Sequence, residues 1–160
     1  MSGEAGPVHL DSNAFIAAFE TRGENADALR SLFSGAMRNV IRRVTSELTL
    51  AEVLAKPARL DDTELVDAYL TLIVSSGLIE LHAVTGEILI ETARYRADHD
   101  QIGAPAADRR NFLPDAVHVV TATRAGCSAF VSSDKRIPLP AGMRRVAPTA
   151  EGIGALLETS

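Results

Sequence analysis

The sequence predicts an α/β domain with a mostly parallel central sheet of four to five strands, flanked by helices. Three observations predict it. Short β-type apolar runs alternate with segments of helical spacing along the chain, and such alternation yields parallel strands covered on both faces. Hydrophobic residues make up 46% of the 160, enough for a sizeable core. Aromatics are only 4% and Trp is absent, so the core must be Leu, Val, Ile and Ala, a composition suited to helices on a parallel sheet. The length favours one domain, 1–160, with a core over 8–146, an unstructured 1–7 and a C-terminal helix over 149–158.

The elements follow in order. Val8 to Leu10 reads as the first strand, and Ser12 to Phe19 as a helix with Phe15, Ile16 and Phe19 on one face. A polar loop with Gly23 leads to a second helix, Ala26 to Ala36. Val40, Ile41 and Val44 suggest the second strand. Thr45 or Ser46 is placed to cap a helix running through Glu52 to about Ala55, with Pro57 expected to stop it. Asp61 and Asp62 open the next helix, whose stripe is Leu65, Ala68, Tyr69, Leu72 and Ile73, and Gly77 ends it. Leu78 to Ala83 is the third strand. Thr85 caps a helix with Ile88, Leu89, Thr92 and Tyr95 on its apolar face. Asp100 to Asn111 has no periodicity and reads as a long loop. Pro114 suits a first helical turn, and the apolar helix that follows ends at Gly126. Ala129 to Val131 is the fourth strand, Met143 to Val146 an edge strand, and Thr149 caps the last helix.

Bulk properties narrow the function. A single Cys127 excludes an internal disulfide framework and a cysteine zinc site, and reads as a small buried residue. The N-terminus lacks the pattern of a signal peptide, and no apolar stretch approaches ~20 residues, so a cytoplasmic protein without a membrane span is expected. A net charge of −5 argues against broad, non-specific nucleic-acid binding. Nucleic acid would have to be handled locally, by a few arginines and a metal.

Four acids occupy comparable junctions. Asp11 and Asp134 follow strands; Glu52 and Asp115 lie near helix starts. Each has an ordinary reading: Asp11 can cap the next helix, Asp115 can favour a helix dipole, and Asp134 can form an Asx turn or pair with Lys135. Glu52 can lie on a solvated helix face, yet it stands among Leu48, Leu50, Ala51, Val53 and Leu54, where a buried carboxylate needs a partner or a metal. His118, one turn beyond Asp115, is either a ligand or a packed, hydrogen-bonded side chain. All four acids can reach one rim of a parallel sheet, where ligands bind in open α/β folds. Crowded carboxylates repel unless a cation intervenes, and oxygen-only donors select Mg²⁺ or Mn²⁺ over zinc. Phosphodiester hydrolysis by metal-activated water is the reaction class such a site serves. Arg42, Arg43, Arg109 and Arg110 are candidate phosphate contacts, each also readable as solvated surface charge.

The runs His9-Leu10-Asp11-Ser12-Asn13, Thr45-Ser46 with Leu48 to Val53, Leu113 to His118, and Val131 to Lys135 give the chain a resemblance to PIN-domain proteins of the VapC toxin type, over about Val8 to Val146. The resemblance implies a three-layer PIN-like fold and Mg²⁺- or Mn²⁺-dependent endoribonuclease activity. By position it assigns Asp11, Glu52, Asp115 and Asp134 as metal-binding, catalytic acids, with Asn13 and Ser132 in support. It further implies a homodimer, an RNA substrate and a small VapB-like antitoxin that supplies the DNA-binding surface. Two departures stand out: the 100–112 loop is longer than usual, and Lys135-Arg136-Ile137 follows Asp134 where many relatives carry another acid, which points to one metal rather than two. Two other readings stay open. One is a catalytically inactive PIN scaffold that binds RNA or a protein. The other is a phosphohydrolase of the haloacid-dehalogenase type with an Asp11 nucleophile, weakened because Asn13 stands where a second Asp is wanted.

Overall fold

The computed structural model describes residues 6–34, 41–99 and 111–158. Arg109, Arg110, most of the 100–112 loop and the far end of the expected second helix lie outside the described residues.

The strands are β1 (Val8–Leu10), β2 (Arg43–Ser46), β3 (Glu80–His82), β4 (Ala129–Val131) and β5 (Arg144–Val146). They form one sheet in the order β3-β2-β1-β4-β5, and every pairing is parallel. The helices are α1 (Ser12–Glu20), α2 (Glu24–Phe33), α3 (Leu48–Arg59), α4 (Thr63–Leu70), α5 (Gly86–His99), α6 (Leu113–Arg124) and α7 (Ala150–Glu158). A π-helical stretch, Thr71–Ser75, continues α4.

Side-chain alternation along the strands builds three layers. Val8, Leu10, Ala129 and Val131 pack with Phe15, Leu29, Leu32, Tyr69, Ile153 and Leu156, so α1, α2, α4 and α7 cover one face. Val44 and Phe130 point the other way, onto Val119 and Ala122 of α6, and Ile88 of α5 packs on Val117 and Val120. Both faces are buried, as an all-parallel sheet requires.

Several expected boundaries hold. Asp62 caps α4, accepting from the Leu65 amide at 3.0 Å. Thr85 and Thr149 cap α5 and α7 through the amides of Ile88 and Gly152. Gly126 ends α6 at φ +70°, a conformation glycine adopts without a Cβ penalty.

Others are corrected. Thr45 and Ser46 belong to β2, not to a cap, because both carry ladder partners on β3. Ser46 still serves the helix that follows, its hydroxyl accepting from the Leu48 amide at 3.2 Å. Pro57 does not stop α3. It sits in the last turn, where the helix continues only two residues beyond it, and its carbonyl accepts from the Leu60 and Asp62 amides that close the end. Leu89 is 48% exposed: the buried stripe of α5 is Ile88 and Thr92.

A polar residue of β1 is left in the core without compensation. His9 is fully buried on β1, stacked on Phe130 with ring centroids 4.7 Å apart, and neither ring nitrogen has a hydrogen-bond partner. Burial, then the nearby imidazoles of His118 and His82, hold its pKa well below 6.5, so the ring is neutral in the fold. Below pH ~6.5 the unfolded chain takes up a proton that the folded chain refuses, so stability is present above that pH and falls as the pH drops. His9→Phe is expected to raise neutral-pH stability by about 1 kcal/mol. It should also remove up to about 1.4 kcal/mol per pH unit of acid sensitivity below pH ~6.5. Urea denaturation of both proteins between pH 5 and 8 checks it; parallel pH profiles would refute it.

Candidate active site

The chain leaves β1 to build β2 and β3 on one side, then returns to place β4 on the other. The reversal lies between β1 and β4, and the crevice beyond their carboxyl ends is where such sheets bind ligands. Asp11 and Ser132 are the first residues past those two strands.

Asp11 is the N-cap of α1, its Oδ1 accepting from the Ala14 amide at 3.1 Å, while its own amide donates to the Val131 carbonyl. It is only 6% exposed. Burial pushes its pKa up. The Ser132 hydroxyl, His118 and the Ala14 amide pull it down, and Glu52 pushes it up again. These influences place Ser132, His118 and Glu52 around one carboxylate.

Ser132 is buried and joins two acids. Its hydroxyl lies beside Asp11 and lowers that carboxyl's pKa, and its Oγ accepts from the Asp134 amide at 3.1 Å. Asp134 forms the expected Asx turn, Oδ1 accepting from the Arg136 amide at 2.9 Å. Its ion pair is with Arg136 rather than Lys135: the guanidinium donates Nε to Oδ1 and Nη2 to Oδ2, both at 3.0 Å. The two-residue spacing lets one side chain fold back as a fork onto the turn it closes. Asp134 and, behind it, Asp115 raise the Arg136 pKa, so Asp115 faces this cation from the first turn of α6. Arg145 donates to the Asp134 and Ile137 carbonyls and fixes the loop.

Glu52 is half-buried on α3, and its Oε2 meets His118 Nε2 at 2.8 Å. The apolar neighbours that suggested deep burial do not enclose it, because only Thr49, Val53 and Pro57 of α3 are buried. Asn13 is exposed in the first turn of α1. Arg42 and Arg43 stand at the opposite, amino end of β2. Arg42 pairs with Glu80, and Arg43 donates to the Leu32 and Leu78 carbonyls, so both are structural. Cys127 is buried, its thiol pushed up to about 12 by burial, and is inert as a nucleophile.

His118 is the packed, hydrogen-bonded side chain that the sequence offered as one of its two readings; its partner and the role of Arg136 were missed. The partnership of His118 with Glu52 spans 66 positions and has no local signal. Arg136 had one, its place two residues after Asp134.

Asp11, Glu52, Asp115 and Asp134 offer carboxylate oxygens, the donors a hard divalent cation takes, and Asp11 is buried with only neutral hydrogen-bond donors on it. They are the residues that could hold one. Among the described residues, no three His, Cys, Asp or Glu side chains already stand as a metal-holding group. Glu52 and Asp134 are engaged by His118 and Arg136 instead.

An all-parallel sheet with a buried carboxylate, Asp11, just outside its switch point defines an α/β protein with its crevice between β1 and β4. More particularly, the chain belongs to the PIN-domain family, whose model matches residues 8–142. Comparison with curated protein sequences returns no match. Among solved structures, the chain is similar to VapC20 of Mycobacterium tuberculosis, described as a Sarcin-Ricin loop cleaving toxin, with TM-score 0.59 and 16% identity over 80% of this chain and 90% of that one. It is also similar to a chain of a toxin–antitoxin complex from Klebsiella pneumoniae, with TM-score 0.58 and 15% identity over 88% and 97%. A third is a chain of VapBC2 from Rickettsia felis bound to a promoter DNA fragment, with TM-score 0.57 and 16% identity over 88% and 97%. These likenesses establish the fold.

Ser132→Ala removes a donor to Asp11 and an acceptor for the Asp134 amide. We expect a loss of about 1–2 kcal/mol in stability and a further rise in the Asp11 pKa in metal-free protein. Carboxyl-carbon NMR titration measures the second effect, and an unmoved or lowered Asp11 pKa would contradict it.

Proposed function

We propose that the chain is a divalent-metal-dependent endoribonuclease, hydrolysing RNA phosphodiester bonds, and the toxin of a toxin–antitoxin pair. The observation that carries this reading is the buried Asp11 at the β1–β4 switch point of a PIN domain, with Glu52 and Ser132 beside it and Asp134 tied in through Ser132. The similarity to a toxin described as cleaving the Sarcin-Ricin loop supports RNA as the substrate. Two toxin–antitoxin complexes among the similar structures support a small protein antitoxin as partner.

Asp11, Glu52, Asp115 and Asp134 would hold Mg²⁺ or Mn²⁺. Such a cation, when bound, supplies Lewis-acid activation of water and neutralises charge developing on the phosphate. The chain's own residues do the positioning. The Ala14 amide and the Ser132 hydroxyl fix the Asp11 carboxylate, and the α1 N-terminus favours its negative charge. Arg136 holds Asp134 at the same rim. Burial of Asp11 keeps bulk water from its face of the crevice, which strengthens each electrostatic contact there.

Homodimerisation and a cytoplasmic location complete the proposal. Among the described residues no helix is long and apolar enough to cross a membrane.

One observation favours a second reading, a PIN scaffold that binds RNA or protein without cutting. Asp134 is forked by the Arg136 guanidinium, and Glu52 is bonded to the His118 imidazole, so both carboxylates are already engaged by side chains of the chain itself. Cleavage separates the two readings. Purified chain with Mg²⁺ or Mn²⁺ is expected to produce discrete fragments from total RNA, and none with chelator. Asp11→Asn, which keeps the N-cap, should slow cleavage more than about 100-fold while circular dichroism is unchanged. Full activity in that variant would sink the nuclease assignment. A folded, antitoxin-free wild type that yields no fragments would establish the scaffold.

A further inference from the structure

We propose that His118 is the positioning residue of this site: it holds the Glu52 carboxylate at the rim beside Asp11, and does not itself serve as a ligand. The inference rests on the metal-dependent reading above and adds a residue to it.

Four observations converge. First, Nε2 of His118 lies 2.8 Å from Glu52 Oε2 and bridges two helices, α6 and α3. A carboxylate only accepts, so Nε2 carries the proton and donates. Second, Glu52 lies within the field of Asp11. Two like charges at one rim repel, and a glutamate 27% exposed on a helix has solvent to swing into. A fixed donor bonded to the carboxylate opposes that swing. Third, the imidazole is rigid. Its side chain is 3% exposed and lies edge-on to His9 at 5.3 Å and 70°, and His9 is stacked flat on Phe130. Fourth, Nδ1 of His118 and both nitrogens of His9 are buried without partners. Three of the four nitrogens in this imidazole pair do no hydrogen bonding, and such orphans cost stability. Leucine and phenylalanine would fill the same layer at less cost. The one hydrogen bond the pair's ring nitrogens make is to Glu52.

Ligation by His118 is disfavoured by the same geometry. Nε2 is committed to Glu52, and Nδ1 is enclosed in the α6 layer. A donor bonded to the back of a carboxylate is the arrangement that orients metal-binding acids, and losing such a partner weakens metal affinity by roughly 10–100-fold.

His118→Leu keeps the apolar volume and removes the donor; His118→Gln restores an N–H. Three measurements are taken on the full chain. In metal-free wild type, proton NMR should show a downfield His118 Nε2–H resonance that moves upfield in Glu52→Gln. By calorimetry, His118→Leu should bind Mn²⁺ roughly 10–100-fold more weakly, with a melting temperature at or above wild type, and His118→Gln should recover part of the affinity. In RNA cleavage, kcat should fall more than KM rises. Wild-type Mn²⁺ affinity in His118→Leu, or equal losses in the Leu and Gln variants, would overturn the positioning role. A resonance indifferent to Glu52→Gln would overturn it without reference to metal, and is the deciding measurement should His118→Leu fail to fold. Wild type that shows the bond yet binds no Mn²⁺ would instead bring down the metal-dependent reading, and the positioning role with it.

Discussion

A carboxylate buried at the end of a core strand is the constraint around which this fold is arranged. Asp11 follows three fully enclosed strand residues, at a point where an ionised group is costly unless hydrogen-bonded. Its compensation comes from three directions. The first turn of α1 supplies an amide and the positive end of a dipole, the end of β4 supplies the Ser132 hydroxyl, and α6 supplies the nearby imidazole of His118. Each source comes from a different part of the chain, so the groups that make Asp11 tolerable also fix the β1–α1 turn, the β1–β4 junction and the seat of α6. The compensation is incomplete, since burial still dominates and the carboxyl remains raised. An added cation is the one thing that would both favour the charged form and answer the repulsion from Glu52.

That unmet demand explains why the neighbouring acids are not left bare. Asp134 is closed by the Arg136 fork, and Glu52 by His118. The two partnerships differ in kind. Arg136 is exposed and reached through a tight turn, so its hold on Asp134 is screened by water and readily exchanged. His118 is enclosed, and its hold on Glu52 is set by packing. The site therefore has one acid whose partner is exposed and exchangeable and one whose partner is locked by packing.

Local rules made much of this legible. The positions of β1 and β4, the caps at Asp62, Thr85 and Thr149, and the glycine at the end of α6 depend on residues within a few places of one another. The errors fall where distant partners decide. Thr45 and Ser46 look like cap residues until β3 offers them a ladder, and Thr45 then donates its hydroxyl to the Leu10 carbonyl. Leu89 has the spacing of a core residue, but α6 packs against Ile88 instead. At the site, strand-end acids were readable because strand ends are readable. The Glu52 environment was not, since α3 is apolar in sequence yet presents only one of its sides to the core.

The two faces of the sheet also differ in a way the site needs. The layer under α1, α2 and α7 is dominated by close-packed apolar side chains, among them Phe15, Leu29, Leu32 and Ile153, which back β1 and β4. The layer under α6 admits two imidazoles, one at the strand and one at the helix, stacked and edge-on against Phe130. Polar groups in a core are tolerated where they serve a specific geometry, and here they lie directly behind the rim that carries Asp11 and Glu52. Because His9 precedes Asp11 by two residues, strand alternation sends both side chains towards the same side of the sheet. The polar column from His9 through His118 to Glu52 is thus a consequence of register: the strand that delivers the acid to the rim also delivers the ring that supports its neighbour's partner.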